Sequence, residues 1–304
     1  MHTHQQEHPG LRLRRAMKSA CVGLPGAPSG LVARAVARAG FQGCYVSGAA
    51  VSASMGMPDV GMVSLSEFCG VIEQVARASA LPVLADADTG FGESEMVMRT
   101  VSEYARAGAA GLHIEDQVFP KRCGHLDGKR LVPVDHMAEK VAAAARMRDA
   151  LPAGGSSFIV CARTDARGVE GLPAVIDRAR AYLDAGADMI FPEGLSSEAE
   201  FGEVAAAVKE HVAGAALLAN MTEFGKTPVI PLERFGSLGY SCVIWPVTTL
   251  RAAMGEVTRT LAELKRAGSV APFLDRLQTR AELYDLLGYT PGDEWPFPGP
   301  DPRR

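Results

Sequence analysis

The chain lacks paired cysteines, basic runs and long apolar segments. Its six cysteines stand singly along 304 residues with no CxxC pair, so no disulfide framework is expected. The formal net charge is −4, and no Lys/Arg run is interleaved with aromatic residues, which argues against nucleic acid as a partner. No apolar run is long enough to span a bilayer. These absences predict reduced thiols in a cytoplasmic protein that has no membrane partner.

The composition indicates one folded domain with polar ends. Hydrophobic residues make up 47% of the chain and charged residues 22%, which suits a large buried core. No linker or shift in composition divides the middle of the chain. We therefore predict a flexible N-terminal tail over residues 1–10, a single domain over 11–289, and a disordered Pro- and Gly-rich tail over 290–304.

Short apolar runs recur along the chain, and longer amphipathic stretches separate them. Runs that are continuously apolar are typical of strands buried on both faces, and their alternation with helices predicts parallel βαβ units. Eight such runs favour an α/β fold of the (β/α)8 TIM-barrel type, while a doubly wound open sheet is the alternative. The predicted strands cover residues 20–24, 43–46, 82–85, 111–114, 158–161, 188–191, 215–219 and 242–245; the predicted helices include 95–107, 134–150, 172–185, 198–211, 249–267 and 271–287.

Acidic residues follow the third and fourth predicted strands, at the end of a barrel where active sites lie. Asp86 and Asp88 are two residues apart, so an extended backbone would point both carboxylates to one side, where they would repel each other without a cation. Mg²⁺ is the first choice for that cation and Mn²⁺ the second. The alternative is a turn whose aspartates cap the next helix. Glu115 is expected near the same mouth, whereas His113 falls inside an apolar run and is expected to be a hydrogen-bonded core residue.

A thiol with charged neighbours follows the fourth strand. The sequence there is Lys121-Arg122-Cys123-Gly124-His125. Nearby cations stabilise a thiolate, so the pattern predicts a chemically active cysteine. The alternative is a basic surface turn that happens to contain a cysteine.

Polar residues also follow the later strands. Arg163, Glu193, Asn220 and Thr222 lie at or just after predicted strand ends. The planar guanidinium of arginine pairs bidentately with a carboxylate, so together these residues indicate a pocket for a small, oxygen-rich anion. Taken singly, each could instead close a turn or form a buried ion pair.

Seven motifs, in the same order along residues 11–289, resemble those of the isocitrate lyase and phosphoenolpyruvate mutase superfamily. They are YVSGA at 45–49, DADTGFG at 86–92, EDQ at 115–117, KRCGH at 121–125, ARTD at 162–165, NMTEFG at 220–225 and QTRAELY at 278–284.

This resemblance implies a metal-dependent carbon–carbon lyase. The most similar branch cleaves 2-methylisocitrate to pyruvate and succinate in propionate breakdown, the 2-methylcitrate cycle. It also implies a modified (β/α)8 barrel whose C-terminal helices are swapped between subunits, with pairs of dimers forming a homotetramer. Branches acting on 2,3-dimethylmalate or oxaloacetate share the cysteine loop and stay open as alternatives, and Leu126 stands where some methylisocitrate-cleaving relatives carry arginine. A non-catalytic barrel with Cys123 as a redox sensor is the alternative from another class.

The resemblance also implies roles for single residues. Cys123 corresponds to the general acid, and Asp86 and Asp88 correspond to the Mg²⁺ ligands. The group that removes the substrate's hydroxyl proton is left open between Tyr45 and a metal-bound water. The residues that correspond to substrate-binding positions are Ser47, Gly48, Ala49, Cys123, Gly124, Arg163, Glu193, Asn220, Thr222, Arg251 and Arg280, with Ala49 standing where relatives often have glycine.

Overall fold

Eight parallel strands form one sheet in a computed structural model that describes residues 7–124, 126, 128–152 and 154–303. Their order is β1-β8-β7-β6-β5-β4-β3-β2. The amide of Ala27 donates to the carbonyl oxygen of Tyr45 at 2.8 Å, which joins β1 to β2 and closes the barrel. The predicted barrel is therefore confirmed. The strands are β1 (Val22–Pro25), β2 (Cys44–Val46), β3 (Val83–Asp86), β4 (Gly111–Glu115), β5 (Ile159–Thr164), β6 (Met189–Pro192), β7 (Ala216–Asn220) and β8 (Cys242–Trp245).

Helices follow or precede the strands around the outside of the barrel. Two predicted helices, 134–150 and 198–211, match the structure at both ends. None of the described helices is both long enough and apolar enough to cross a bilayer. The helices are α1 (Pro9–Ser19), α2 (Gly30–Arg38), α3 (Gly48–Ser54), α4 (Leu65–Ser79), α5 (Ser94–Arg106), α6 (Val134–Ala150), α7 (Leu172–Asp184), α8 (Glu198–His211), α9 (Leu232–Ser237), α10 (Thr248–Ala267) and α11 (Arg280–Leu287).

Side chains alternate between two layers of core along each strand. On β3, Val83 and Ala85 face the helices, whereas Leu84 points into the barrel. Leu13, from α1, packs with Val22 and Leu24 inside the barrel at its N-terminal end. α1 thus begins at Pro9, inside the predicted tail, and closes the end of the barrel opposite to the predicted site. Residues 1–6 lie outside the described residues.

The C-terminal part differs from its predicted form. Residues 271–287 were expected to be one helical piece, and this is wrong: a 3₁₀ segment, Ala271–Arg276, is separated from α11. Phe273 has a non-helical φ of −138°, and Thr279 starts α11 afresh by accepting a hydrogen bond from the amide of Glu282. The interruption follows from these two local features.

The segment after α11 lies against α2. Arg34 donates to the carbonyl oxygens of Leu286, Leu287 and Pro300 at 3.0–3.1 Å. The indole of Trp295 donates to the carbonyl of Leu287 at 3.1 Å. These contacts hold part of residues 290–303, for which the composition predicts disorder. By contrast, α10 has no buried residue.

Candidate active site

The inner faces of the strands change from apolar to polar at the C-terminal end of the barrel. Because side chains alternate, Leu84 and Asp86 share the inner face of β3. The same step from apolar to polar occurs from Cys161 to Arg163, from Phe191 to Glu193 and from Leu218 to Asn220.

These polar side chains surround a cavity of about 80 Å³. It brings together most of the predicted site residues, which lie at or after the ends of seven strands, β2 to β8. The predicted residues that line it are Ser47, Ala49, Asp86, Cys123, Gly124, Arg163, Glu193, Asn220, Thr222 and Arg251; the others are Tyr45, Asp59, Lys121, Phe191, Ile244, Pro246 and Val247.

Aspartates surround the buried ammonium of Lys121. Its Nζ lies 2.8 Å from Asp88 Oδ1 and also contacts the carboxylate of Asp59. Asp86 accepts hydrogen bonds from the amides of Gly48 at 2.9 Å and Asp88 at 3.0 Å. Lys121 therefore neutralises protein carboxylates. Asp59 has no strand-end position or motif that would have marked it in the sequence.

An extended backbone had been expected between Asp86 and Asp88, but the structure has a turn there. β3 ends at Asp86, and Asp88 has a left-handed φ of +46°. The turn nevertheless brings the Asp88 carboxylate to Lys121, so the two aspartates lie at one site for a different reason from the predicted one.

The aspartates differ in their ionisation. For Asp86, burial raises the pKa, but His113, Lys121 and Arg163 together lower it to about 2. For Asp88, burial and the neighbouring Asp86 raise the pKa to about 6. Like charges at short range separate pKa values in this way.

The donor set fits a hard divalent cation. Both carboxylate oxygens of Glu115 are buried and accept no hydrogen bond, although Arg163 Nε lies 3.3 Å from Oε2, and buried Asp88 Oδ1 has the ion pair with Lys121 as its described contact. Burial raises the pKa of Glu115 well above its usual range, which shows how costly its charge is without a further cation. Within the described residues, no three His, Cys, Asp or Glu side chains form a complete ligand cluster. Few carboxylates supplemented by water and substrate oxygens are typical of Mg²⁺.

Arg163 is held among three carboxylates. Its Nε lies 3.0 Å from Asp165 Oδ2 and 3.3 Å from Glu115 Oε2, and its Nη1 lies 3.8 Å from Glu193. Asn220 donates to Glu193 at 3.1 Å. The guanidinium is therefore fixed at the cavity wall, in a position to bind an anionic group.

Gly124 brings the cysteine segment close to Arg163. A Cβ at Gly124 would lie 2.4 Å from Arg163 Nη2 and 2.5 Å from Glu193 Cγ, so a larger residue would push the segment away. The side-chain amide of Gln117 accepts from the amide of Arg122 and donates to its carbonyl, both at 2.9 Å. Cys123 is thereby placed at the cavity as a half-buried thiol. His125 lies outside the described residues.

His113 is a hydrogen-bonded core residue, as predicted. Its Nε2 lies 2.7 Å from the hydroxyl of Tyr45, and its ring packs edge-on against Phe191. Burial lowers the pKa of His113 to about 4, so the imidazole is neutral at physiological pH. Tyr45 therefore meets the cavity with its hydroxyl fixed by a neutral partner.

The remaining predicted residues fall into two groups. Ser47 caps α3 by accepting from the amide of Ala50, and Arg251 donates to the carbonyl of Glu223 while it stacks on Phe224. Arg280, however, lies exposed on α11 and is not part of the cavity of its own chain.

A TIM barrel whose mouth combines acidic residues, an arginine and a thiol defines an enzyme-type site for a small polyanion. More particularly, the chain belongs to the phosphoenolpyruvate phosphomutase family, whose model matches residues 13–265. Both the fold and the order of the motifs agree with this assignment.

Curated relatives resemble the chain over most of its length. It is 52% identical over 283 residues to a probable 2-methylisocitrate lyase 1 from Corynebacterium glutamicum, covering 91% of this chain and 90% of the relative. It is 49% identical over 285 residues to a 2-methylisocitrate lyase from Aeropyrum pernix, covering 93% and 88%.

Solved structures of the same superfamily have the same fold. A 2,3-dimethylmalate lyase gives a TM-score of 0.84 at 38% identity, with 92% of this chain and 91% of that chain covered. An oxaloacetate acetylhydrolase with 3,3-difluorooxalacetate gives 0.85 at 34%, covering 92% and 93%. A phosphonopyruvate hydrolase in complex with oxalate and Mg²⁺ gives 0.80 at 30%, covering 92% and 95%.

Proposed function

We propose that this protein is a carbon–carbon lyase that cleaves 2-methylisocitrate to pyruvate and succinate. The observation that carries the proposal is the cavity at which Cys123, Arg163 and Asp86 meet. The relatives named 2-methylisocitrate lyase, which match the chain almost from end to end, support this substrate.

The chain's own residues suit the charge that develops in this reaction. Cleavage beside a carboxylate leaves an enolate-like succinate fragment, which needs stabilisation and one proton. Arg163, held by Asp165, binds the carboxylate of this fragment. Cys123 gives the proton, because its thiol lines the same cavity and its segment lies against Arg163 at Gly124.

Asp86 and Asp88, with Glu115 nearby, would hold Mg²⁺, and Mn²⁺ fits the same oxygens. When bound, the metal supplies Lewis-acid polarisation of the α-hydroxy acid part of the substrate. Gly48 donates its amide to Asp86, which orients that carboxylate for the role.

Tyr45 is assigned to substrate binding. Burial raises the pKa of its hydroxyl well above the usual range, so the group stays protonated near neutral pH. Its contact with His113 fixes the direction of the hydroxyl. A protonated, fixed hydroxyl is better suited to hydrogen bonding with the substrate than to removing its proton. The hydroxyl proton of the substrate therefore leaves to solvent, and the thiol of Cys123 is reprotonated from solvent after it has given its proton to the succinate fragment.

The test is pyruvate release from 2-methylisocitrate, with Mg²⁺ and after chelation, by the intact protein and by Cys123→Ser. We expect metal-dependent turnover and a loss of about 10²–10⁴-fold in the variant, the range for a general acid. Isocitrate, 2,3-dimethylmalate and oxaloacetate serve as competing substrates. A higher kcat/KM for any of them would contradict the substrate assignment, and full activity of Cys123→Ser would remove the thiol from the reaction.

We also infer a homo-oligomer in which the C-terminal helices cross to a neighbouring subunit. α10 exposes an apolar stripe at helical spacing, formed by Met254, Val257, Leu261 and Leu264. The exchange would bring Arg280 to the cavity of the partner subunit. The arrangement of dimers into a tetramer and the cytoplasmic location stay predictions.

Mixed oligomers test this exchange. Cys123→Ser and Arg280→Ala chains, each inactive alone, should regain activity when co-expressed, because one cavity then receives both intact residues. Light scattering of the native protein reports its mass. A monomer, or mixed oligomers without activity, would contradict the exchange.

A further inference from the structure

Lys129 is a buried lysine that has no assigned role in the proposed reaction. It lies eight residues after Lys121, at the end of the segment that carries Cys123, with 8% of its surface exposed. Its Nζ donates to Asp165 Oδ1 at 2.9 Å and also to the carbonyl oxygen of Gly124. A buried ammonium is costly unless it is paired, so these contacts account for its position.

Asp165, the partner of Lys129, is also the partner of Arg163. Arg163 donates from Nε to Oδ2 at 3.0 Å and from Nη2 to Oδ1 at 3.2 Å. One carboxylate therefore joins the arginine that faces the substrate to the lysine that holds Gly124.

Asp165 is itself held by a network of buried hydrogen bonds. Its amide donates to Asp116 Oδ1 at 2.9 Å, and Asp116 Oδ2 accepts from Tyr182 at 2.8 Å and from Arg178 at 3.2 Å. Tyr182 and Arg178 belong to α7, and Asp116 and Asp165 directly follow β4 and β5. The chain of contacts therefore runs from the outer helix across these two strand ends to the cysteine segment.

We propose that Lys129 is a positioning residue that fixes the Cys123–Gly124 peptide against Arg163. The proposal deepens the proposed function and rests on it. Gly124 lies so close to Arg163 that not even a Cβ would fit. Its carbonyl oxygen accepts a hydrogen bond from the ammonium of Lys129, which holds the peptide in this position. Without the ammonium, the peptide relaxes outward and carries the thiol away from the substrate.

The first test is Lys129→Met, which keeps the length of the side chain and removes its charge. We expect kcat to fall by about 10²-fold, the cost of misplacing a reacting group by roughly 1 Å, while KM changes by less than about threefold. An unchanged kcat, or an effect on KM alone, would overturn the proposal.

The second test needs no substrate. The rate at which iodoacetamide alkylates Cys123, followed by peptide mass spectrometry, should rise several-fold in Lys129→Met. Cys21 and Cys69, which are also half-buried, serve as internal controls and should keep their rates. Equal acceleration at all three thiols would mean general loosening and would overturn a local role.

Two further variants keep the test decisive. Lys140→Met removes another buried lysine, one that donates to the carbonyl of Thr89, and should leave the alkylation of Cys123 at the native rate.

If Lys129→Met does not fold, the double variant Lys129→Met/Asp165→Asn is used, because it leaves no unpaired charge. Cys123 should then react faster in the double variant than in Asp165→Asn alone. Equal rates would overturn the proposal. Absence of pyruvate release by the native protein would overturn the proposed function, while the alkylation rates would still decide the role of Lys129.

Discussion

The two ends of the barrel use the same strands for opposite purposes. At the N-terminal end, Leu13, Val22 and Leu24 fill the interior with apolar side chains. At the C-terminal end, two residues further along several strands, Asp86 and Arg163 replace hydrocarbon with buried charge. Hydrophobic packing stabilises the fold, whereas buried charges cost free energy and are retained for chemistry. The residues that stabilise the fold and the residues proposed to act on substrate therefore lie at different ends of one core.

Of the two ends, the charged one should give the larger effect on activity. Asp88→Asn should lower kcat by about 10²–10³-fold, because it removes a carboxylate from the proposed metal shell. Steady-state pyruvate release measures the loss, and circular dichroism should show an unchanged fold. Native activity would exclude Asp88 from the metal shell.

At the apolar end, Leu24→Ala should lower the free energy of unfolding by about 2–5 kcal/mol, since it opens a cavity in the apolar core inside the barrel. Activity at 25 °C should stay within about twofold of the native protein. Urea denaturation and the same assay check both parts. A loss of activity larger than the loss of folded protein would show that the two ends are not independent.

The pH dependence of stability sharpens the comparison. In the metal-free protein, burial and Asp86 raise the folded-state pKa of Asp88 to about 6, above its usual 3.8. The folded state then binds this proton more tightly than the unfolded state, so stability falls as pH rises from about 4 to 6. Asp88→Asn should thus be more stable than the native protein above pH 6, by about 3 kcal/mol at most, and equal to it near pH 4. Thermal melts at several pH values measure this, and a difference independent of pH would contradict it.

The smallest expected effect concerns a single methyl group. In Gly48→Ala, the new Cβ would lie 2.8 Å from Asp86 Oδ2, so the carboxylate must shift, and we expect about a tenfold loss of kcat. Gly70→Ala on α4 is the matched control, because it adds the same methyl group with nothing within 4 Å, and it should stay near native activity. Equal effects of the two changes would show that the position of Asp86 is not set by this close approach.

Most of the barrel could be predicted because its strands are short apolar runs between helices. The prediction placed all eight strands, with errors of two residues or fewer at their ends for most of them, for example 242–245 without error. Periodicity also placed Arg163 and Glu193 at the mouth, since strand ends of a parallel barrel meet there.

Features that depend on tertiary contact could not be predicted in this way. Lys121 had been interpreted as a cation that stabilises the thiolate of Cys123, but its ammonium pairs with Asp59, which lies in a loop without any periodic pattern. The left-handed conformation of Asp88 has only a weak local sequence signal, because aspartate adopts it less readily than glycine. Lys129 lies in a polar loop, where a lysine is ordinarily exposed.

The closure of the barrel has a thermal consequence. Among the described residues, β4 and β5 pair through five residue pairs, whereas β1 and β2 are joined by the single bridge between Gly26 and Tyr45. Among the described strand pairs, the one with the fewest residue pairs thus runs through Tyr45, which lines the cavity. Local opening between these two strands requires less free energy than global unfolding. On heating, the enzyme should therefore lose its active geometry while most of its secondary structure is still intact.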